Sequence, residues 1–418
     1  MKNQLLPEGF RDSLPDLALE EYRINDCFLK ITKQSGFSYV NPPLIEFESS
    51  LFFISKEKQR SECFRVLDPL SQKIMAIRSD ITSQIARISC GSLFHSKRPL
   101  KLSYSGEVLK VKNVEIGKPS SKEVLIKNLS IGINYIDVYH RTGLYPIPLP
   151  SGIGLEACGV VEEIGSEVNL FKVGDRVSHA SMPIGGYSEK QLMPQEKLVK
   201  VPDGISDEIA SCIMLKGITA EYLLHRSYAA KKGDKVLFHA AAGGVGQILC
   251  QWANSIGCTV IGTVGSKEKE EIAKKNGCHH VINYSENNFV TEVEKLVGKN
   301  GIDVVYDGVG QKTFEGSIEC LKVRGMMVAF GNASGYVHTL DIKKHINAKG
   351  LFFTRPSIAH YTVTREEFVE SASKVFEAVL SGKIKINISK KYSLDDSKKA
   401  HEELEARILT GPAVIIPN

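Results

Sequence analysis

From Lys235 onward, short apolar runs alternate with helical patterns, and this alternation constrains the fold more than any other feature of the chain. Helical segments, one of them over Lys267 to Asn276, separate the first five of six strand-like runs. In order, the runs are KVLFHA, TVIGTV, HVINY, DVVYDGVG, GMMVAFG and LFFTRPS. Strands that alternate with helices form parallel sheets, because each crossover brings the chain back in the same direction. The sequence therefore predicts a doubly wound α/β domain.

The first of these strands leads into a glycine turn and a helix. In KVLFHAAAGGVGQILCQWA the spacing is Ala240-x-x-Gly243-x-x-Gly246, with Gly244 between, rather than GxGxxG. Glycines let backbone N–H groups approach a pyrophosphate, and the helix dipole favours its charge. Ordinary strand-to-helix connections also contain such turns, so the turn favours NAD(P) binding without deciding it.

Length, charge and cysteine content exclude several classes of protein. A chain of 418 residues exceeds one core and predicts two or three domains. The net charge of +5 is spread over 53 basic and 48 acidic residues, which indicates neither a nucleic-acid nor a membrane partner, single-stranded RNA included. Nine cysteines without a CxxC pair indicate reduced thiols, and with no apolar signal or spanning run we expect a cytoplasmic protein.

Two further regions flank the alternating one. The first hundred residues combine an amphipathic helix ending near Gly36 with strands such as FSYVNPPLIEFE, which indicates an α+β fold. Between about 103 and 165, EVLIKNLSIGIN, ACGVVEEIG and KVGDRVS predict a small β-barrel. After two closing helices, ISKKYSLDD and PAVIIPN predict a return of the chain to that barrel.

Residues 104–418 resemble the zeta-crystallin-like quinone oxidoreductases of the medium-chain dehydrogenase/reductase superfamily. The matching runs, in the family's order, are IGINYIDVYHRTGLYPIPLPSGIGLEACGVVEEIGSEV, GDRVSHA, LKGITAEYLL, VLFHAAAGGVGQILCQWA, VINY, VVYDGVG, MVAFGNASG, TRPS and AHEELEAR. The resemblance implies a GroES-like β-barrel catalytic domain over 109–225 and 360–418. It also implies a Rossmann dinucleotide-binding domain over 226–359, with the active site in the cleft between them.

The cofactor expected from these features is NADPH. Gly265, Ser266 and Lys269 follow TVIGTV, where an NAD-specific enzyme would place an acidic residue on the ribose. Ser266 and Lys269 can bind a 2′-phosphate, although Lys269 also fits the solvated face of the KEKEE helix. The resemblance implies further cofactor contacts, of which the two arginines could equally be structural or surface residues. These contacts are Asp137, Lys216, Thr219, Gly243, Gly244, Val245, Tyr284, Phe330, Gly331, Ser334, Arg355 and Arg407.

No metal is expected in this chain. Zinc-dependent relatives carry a histidine where Leu155 precedes Glu156 and a cysteine where Asn134 stands, and the four-cysteine lobe is missing. Hydride transfer to an electron-poor quinone needs no Lewis acid, so positioning is the expected catalytic device. The resemblance implies Asn134 and Tyr139 as orienting donors beside the nicotinamide. Tyr145 is a catalytic candidate that fits an aromatic lid or a core position equally well.

Residues 1–108 resemble the ATP phosphoribosyltransferase regulatory subunit, a catalytically silent paralogue of histidyl-tRNA synthetase. The matching runs are LPEGFRDSLPD, GFSYVNPPLIEFESSLF, FRVLDPLSQKIMAIRSDITSQIARI and RPLKLSYSGEVL. The match stops near 105–110, so we expect a truncated class II synthetase-like fragment whose sheet edge is left uncovered. Effector-pocket positions of the family match Arg78, Asp80, Thr82 and Arg87.

Three functions follow from these patterns. The leading one is a zinc-independent NADPH:quinone oxidoreductase fused to an N-terminal fragment. An enoyl or alkenal reductase is the alternative on the same scaffold, because pocket shape decides the acceptor. A third reading makes residues 1–108 a partner of an ATP phosphoribosyltransferase catalytic subunit in histidine biosynthesis. We also expect a homodimer, in which the edge strand LFFTRPS pairs across a twofold axis.

Overall fold

The computed structural model describes residues 26–35, 37–40, 45–47, 65–67, 74–77, 85, 88–89, 102–103, 114–141, 145, 147–148 and 151–417. The chain divides into two compact units, Met1–Lys110 and Val111–Asn418. The first unit coincides with the synthetase-like segment, and the second contains the β-barrel and the alternating region.

The described positions of the first unit combine helical residues, which include 85 and 88–89, with short strands. Helix α1 covers residues 26–34. The strands are β1 (Ser38–Tyr39), β2 (Ile45–Phe47), β3 (Arg65–Leu67), β4 (Ile74–Ile77) and β5 (Leu102–Ser103). Strands β2, β4 and β3 form an antiparallel sheet in that order, and β1 pairs with β5 in parallel. The α+β prediction is confirmed for these positions, whereas Arg78, Asp80, Thr82 and Arg87 lie outside the described residues.

The second unit opens with the predicted barrel. Its strands are β6 (Glu123–Gly132), β7 (Glu156–Ile164), β8 (Arg176–Ala180), β9 (Lys190–Pro194), β10 (Val199–Lys200), β17 (Lys390–Ser393) and β18 (Ala413–Ile416). Among the described residues they pair in the order β10-β8-β7-β6-β18-β17, and β9 also pairs with β6. Val414 of β18 lies opposite Gly132 of β6, so the end of the chain returns to the barrel as predicted.

The alternating region forms a parallel sheet. Its strands are β11 (Lys235–His239), β12 (Thr259–Val264), β13 (His280–Asn283), β14 (Ile302–Asp307), β15 (Leu321–Ala329) and β16 (Phe352–Thr354). They pair in the order β13-β12-β11-β14-β15-β16, all in parallel. Strand order reverses at β11, and doubly wound sheets bind ligands beyond the carboxyl ends of their strands at such a point.

Helices cover this sheet and join it to the barrel. They are α2 (Tyr135–Arg141), α3 (Asp207–Tyr222), α4 (Gly244–Ile256), α5 (Lys267–Lys275), α6 (Phe289–Val297), α7 (Phe314–Cys320), α8 (Ile358–Tyr361), α9 (Arg365–Leu380) and α10 (Ser397–Glu405). Helix α3 packs against β6 and β7 of the barrel and against α4 and α9. A Cβ at Gly217 of α3 would lie 2.6 Å from Val375 Cγ1 of α9, so this glycine permits the close packing of the two helices. Side chains of α3 can therefore reach both domains.

Candidate active site

The glycine turn connects β11 to α4, as predicted, but its unusual backbone conformation belongs to an alanine. Ala240 has a φ of 60°, whereas Gly243, which caps α4, has a φ of −77°. The glycines are needed for close approach instead. A Cβ at Gly246 would lie 2.6 Å from the carbonyl oxygens of Ala240 and Ala241, and one at Gly244 would lie 2.9 Å from Lys216 Cδ. The turn therefore holds α4 tightly against β11 and leaves room for the Lys216 side chain.

Lys216 crosses from this turn to the barrel. Its Nζ donates to Asn134 Oδ1 at 2.6 Å and to the Ile133 carbonyl at 3.2 Å, and it lies 3.6 Å from Glu156 Oε2. The Lys216 side chain is only 10% exposed, and that of Glu156 is not exposed at all. If one partner of an ion pair is removed in such a buried environment, the other charge is left uncompensated. Lys216 thus connects the glycine turn with the residues that precede α2.

Glu156 forms the buried end of this cluster. Its Oε1 accepts from the Leu215 backbone N–H at 2.9 Å, and its Oε2 accepts from Asn134 Nδ2 at 2.7 Å. Burial raises the pKa of Glu156, and the Lys216 charge and these hydrogen bonds oppose that shift. Because Asn134 donates to Glu156 and accepts from Lys216, its amide is already oriented by the protein. Asn134 therefore holds Lys216 and Glu156 in place, and its expected role as an orienting donor beside the nicotinamide stays a prediction.

Asp137 lies behind Asn134 and has no exposed surface. Its Oδ2 accepts from the Asn134 backbone N–H at 2.9 Å and from the Tyr187 hydroxyl at 3.2 Å. The Tyr187 hydroxyl is also 3.1 Å from His401 Nε2 of α10. Burial raises the pKa of Asp137 to about 7. Asp137 therefore supports the site through Asn134, and its expected contact with the cofactor stays a prediction.

Aromatic side chains collect around Tyr139 of α2. Its ring centroid lies 5.1 Å from that of Tyr145 and 5.4 Å from that of Tyr135, both in edge-on geometry. Tyr336 and Arg355, which follow β15 and β16, are close enough to influence the Tyr139 hydroxyl electrostatically. Burial raises the pKa of Tyr139, so its hydroxyl keeps its proton at neutral pH. The structure brings Tyr139 and Tyr145 together, and their expected roles at the nicotinamide stay predictions.

Other predicted residues lie along the carboxyl edge of the sheet. A Cβ at Gly331 would lie 2.5 Å from the Gly308 carbonyl, and a Cβ at Gly308 would lie 2.9 Å from Phe330 Cζ, so the loops after β14 and β15 touch. Ser334 Oγ donates to the Val309 carbonyl at 2.8 Å and ties these loops together. Thr219 lies one turn beyond Lys216 on α3, and Val245 lies in the first turn of α4.

The far end of this edge carries two cations. Arg407 follows α10, and together with burial it lowers the pKa of Lys269 in α5, burial being the larger cause. Ser266 precedes α5 and makes no side-chain capping bond to the helix backbone, and a Cβ at Gly265 would lie 2.7 Å from the Tyr284 hydroxyl. The structure therefore brings the predicted adenosine-side residues together around two like charges.

Two residues of this region escaped the sequence analysis. Tyr187 and His401 complete the chain of contacts behind Asp137. Burial lowers the pKa of His401 to about 4, so the ring is neutral at pH 7. The one available sequence signal concerned Glu156, a lone carboxylate in the apolar run GLEACGVV, which has to find a buried partner.

Comparisons with known proteins follow the same division of the chain. Residues 120–203 match the alcohol dehydrogenase GroES-like domain, residues 244–378 match the zinc-binding dehydrogenase family, and residues 9–125 match the histidyl-tRNA synthetase family. A quinone oxidoreductase of Pseudomonas aeruginosa is 44% identical over 324 residues, which are 77% of this chain and 100% of that protein. The chain belongs to the quinone oxidoreductase family.

Solved structures and a second enzyme extend this comparison. Escherichia coli quinone oxidoreductase complexed with NADPH matches with 44% identity and a TM-score of 0.71, covering 73% of this chain and 95% of that one. A 2-haloacrylate reductase of a Burkholderia species is 43% identical over 312 residues, which are 73% of this chain and 93% of that protein. The doubly wound sheet and the GroES-like barrel are thus the fold of this family.

The zinc named in the description of one matching family does not fit this cluster. Both oxygens of Glu156 accept hydrogen bonds from N–H groups, and the Lys216 ammonium lies beside them. Amide and ammonium donors are not zinc ligands. In the part of the chain that the structure describes, no three His, Cys, Asp or Glu side chains form a group that could hold a metal ion. The same part contains no helix long and apolar enough to cross a bilayer.

Proposed function

We propose that this chain transfers a hydride from NADPH to a quinone without a metal ion. The observation that carries the proposal is the path of Lys216, whose stem lies against Gly244 of the glycine turn and whose ammonium holds Asn134. A dinucleotide bound at the turn would extend along this side chain toward Tyr139. The identity of 44% with quinone oxidoreductases supports the same reaction.

The residues present fit NADPH. Glycines at the start of α4 leave backbone N–H groups open to a pyrophosphate, and Lys269 with Arg407 supplies charge for a 2′-phosphate. Structures of relatives that are 44% and 43% identical are complexed with NADPH. Phe330, Gly331, Ser334 and the Thr219 side chain would line the middle of the cofactor. When bound, NADPH supplies the hydride.

The protein's own groups position the acceptor and stabilise the charge that develops on it. The Tyr139 hydroxyl, which stays protonated, donates a hydrogen bond to the oxygen of the acceptor. The Lys216 ammonium adds positive potential nearby, while Asn134 and Glu156 prevent the ammonium from moving. Solvent supplies the proton that completes the hydroquinone. Positioning in a preorganised polar site is the source of catalysis.

The deciding experiment uses the full chain with 1,4-benzoquinone, NADPH and NADH, each with and without a chelator. We expect oxidation of NADPH that exceeds oxidation of NADH and does not change when divalent ions are removed. Loss of turnover with the chelator, or no turnover with any quinone, contradicts the proposal.

An enone or acrylate reductase is the second candidate, because the 2-haloacrylate reductase relative is as similar as several quinone reductases. Both reactions place a hydride on an electron-poor conjugated acceptor, so the pocket decides between them. Comparing kcat/KM for 1,4-benzoquinone with that for a conjugated enone distinguishes the two candidates.

We further propose the arrangement of the chain and its partners. The GroES-like domain comprises 109–225 and 360–418, the dinucleotide domain comprises 226–359, and residues 1–108 form a separate fragment. Phe352 of the edge strand β16 is 57% exposed, which supports a homodimer formed along that edge. Light scattering on the wild type and Phe352→Lys tests the dimer, since the variant should be monomeric.

The remaining partner and the compartment are also proposals. Residues 9–125 match the histidyl-tRNA synthetase family, which supports an ATP phosphoribosyltransferase catalytic subunit as the partner of this segment. Co-purification with that subunit tests this role, and failure to co-purify contradicts it. The free cysteines of the described residues support a reducing compartment such as the cytoplasm, which cell fractionation would test.

A further inference from the structure

Arg355 is an exposed cation that forms no ion pair with any residue that the structure describes. It follows β16 and is exposed to solvent. Its Nη1 donates to the Pro356 carbonyl at 3.1 Å, and its Nη2 donates at 3.1 Å to the Asn332 amide oxygen when that oxygen faces it. Among the described residues, Arg141 and Arg226 each face a carboxylate, whereas Arg355 is held by neutral oxygens. Its charge is therefore oriented but not neutralised by the protein.

The surroundings of Arg355 are aromatic. Its charge lowers the pKa of Tyr139 and Tyr222 against the larger effect of burial, so both hydroxyls lie within electrostatic range of the guanidinium. Tyr139 in turn packs edge-on against Tyr145 and lies close to Tyr336. Aromatic faces and edges bind flat conjugated molecules, and a guanidinium binds a carboxylate through two parallel hydrogen bonds.

We propose that Arg355 selects acceptors that carry an anionic group, such as a carboxylate, on a flat conjugated system. The tyrosines contact the conjugated part, and the guanidinium pairs with the carboxylate beside it. A neutral quinone uses the same aromatic contacts but leaves Arg355 without a partner. This inference rests on the proposed function, because it names the class of acceptor for the same reaction.

The experiment compares two acceptors that differ by one negative charge and one methyl group: a 1,4-naphthoquinone with a propanoate side chain and the methyl ester of that compound. The measured quantity is the ratio of kcat/KM for the acid to kcat/KM for the ester, so differences in cofactor binding cancel. We expect Arg355→Gln to lower this ratio about tenfold to a hundredfold, chiefly through the KM of the acid. Arg355→Lys should keep part of it, since a lysine offers charge without the bidentate geometry.

A binding measurement without NADPH gives a second readout. Quenching of protein fluorescence should show a higher Kd of the acid for Arg355→Gln, with a much smaller change for the ester. Higher ionic strength should weaken the binding of the acid to the wild type, because salt screens the exposed charge. Lys118→Gln, at an exposed lysine in the same unit, is the matched control for loss of one positive charge.

The outcomes separate this inference from the proposed function. If Arg355→Gln lowers kcat/KM equally for the acid and the ester, the residue serves the cofactor or the fold and the inference is wrong. An unchanged ratio with unchanged binding overturns it as well. If the wild type reduces neither quinone with NADPH, the proposed function fails, and the fluorescence titration still decides whether Arg355 binds the carboxylate.

Discussion

The Lys216 cluster and the Lys269–Arg407 pair both place positive charge along the carboxyl edge of the parallel sheet, but among the described residues only the first contains an ion pair. Lys216 has Asn134 Oδ1 at 2.6 Å and Glu156 Oε2 at 3.6 Å, and its side chain is 10% exposed. Burial and the nearby charge of Arg407 instead lower the pKa of Lys269, and the charge of Glu268 opposes them only in part. The charge of Lys216 is paired within the folded chain, whereas the repulsion between Lys269 and Arg407 would be relieved by a bound anion.

This difference indicates two uses of charge within one cleft. A buried, compensated cluster fixes the geometry of the reacting end before any ligand arrives, which is the requirement of a positioned site. An uncompensated pair stores repulsion that a phosphate would relieve, so its contribution appears as affinity rather than as stability of the free protein. Substitution of Lys216 should consequently change the stability of the protein, whereas substitution of Lys269 should change its affinity for NADPH.

The largest expected effect is the loss of Lys216. Lys216→Met leaves the Glu156 carboxylate buried without its ammonium and should lower the free energy of unfolding by about 3–5 kcal/mol. Fluorescence of Trp252, the single tryptophan and a buried residue of the dinucleotide domain, reports unfolding in urea. Turnover should also fall, because Asn134 loses the group that orients it.

The double variant Lys216→Met with Glu156→Gln controls for the buried charge. It removes the uncompensated carboxylate and should recover part of the lost stability, while Lys118→Met, at an exposed lysine, should behave like the wild type. If the double variant is as unstable as Lys216→Met, the cost arises from packing rather than from charge, and the interpretation of the cluster fails.

At the other end, Lys269→Ala should affect affinity and leave stability unchanged or slightly higher. Removing one of two repelling cations relieves the free chain, but it takes a charge-assisted contact from the 2′-phosphate. We expect the KM for NADPH to rise about tenfold to a hundredfold with little change for NADH. Lys275→Ala, at the exposed end of the same helix, is the matched control. An unchanged preference would mean that the phosphate binds elsewhere.

Local patterns were sufficient to predict most of the fold. The strand from Lys235 to His239 and the helix from Gly244 follow from apolar periodicity and a glycine turn, and both are confirmed. The return of Val414 to the barrel followed from a short apolar run, although its partner Gly132 is distant in sequence. Strands and helices of this kind depend on the periodicity of residues that are adjacent in sequence, so the sequence alone predicts them.

Contacts between distant residues could not be predicted in the same way. Tyr187 and His401 meet across the barrel, and nothing adjacent to either one indicates the other. The buried position of Asp137 likewise depends on how α2 packs, since a helix pattern alone does not show what covers each face. The residue types of the site were predictable, but their hydrogen bonds were not, because these depend on tertiary packing.

Stability measured as a function of pH tests the buried residues around Lys216 further. Burial raises the pKa of Asp137 from 3.8 to about 7 in the folded chain. The folded state therefore binds more protons than the unfolded state, and stability falls as pH rises from about 4 to about 7. The groups that face Asp137 are Lys216, Glu156 and Tyr187. Because burial also raises the pKa of Glu156, this residue changes stability with pH in the same direction.

Asp137→Asn removes the dependence of stability on pH that Asp137 contributes, and the side chain keeps its size. The Tm of the variant minus that of the wild type should increase from pH 5 to about pH 7 and stay constant above it. Tyr187→Phe, which removes one hydrogen bond to Asp137, should keep the slope. A constant difference between the two proteins across this range would show that Asp137 is already ionised at pH 5.

The smallest expected effect concerns Tyr284, whose hydroxyl lies beside Gly265 at the open end. Its ring is 37% exposed, so Tyr284→Phe should leave stability nearly unchanged. The hydroxyl is one uncharged hydrogen-bonding group beside Gly265, just before the helix that carries Lys269, and its loss should raise the KM for NADPH only about twofold to tenfold. Titration of both nucleotides against Lys269→Ala and Tyr284→Phe measures this order directly. A loss of NADPH preference as large as that of Lys269→Ala would mean that the hydroxyl, rather than the paired charges, determines binding at this end.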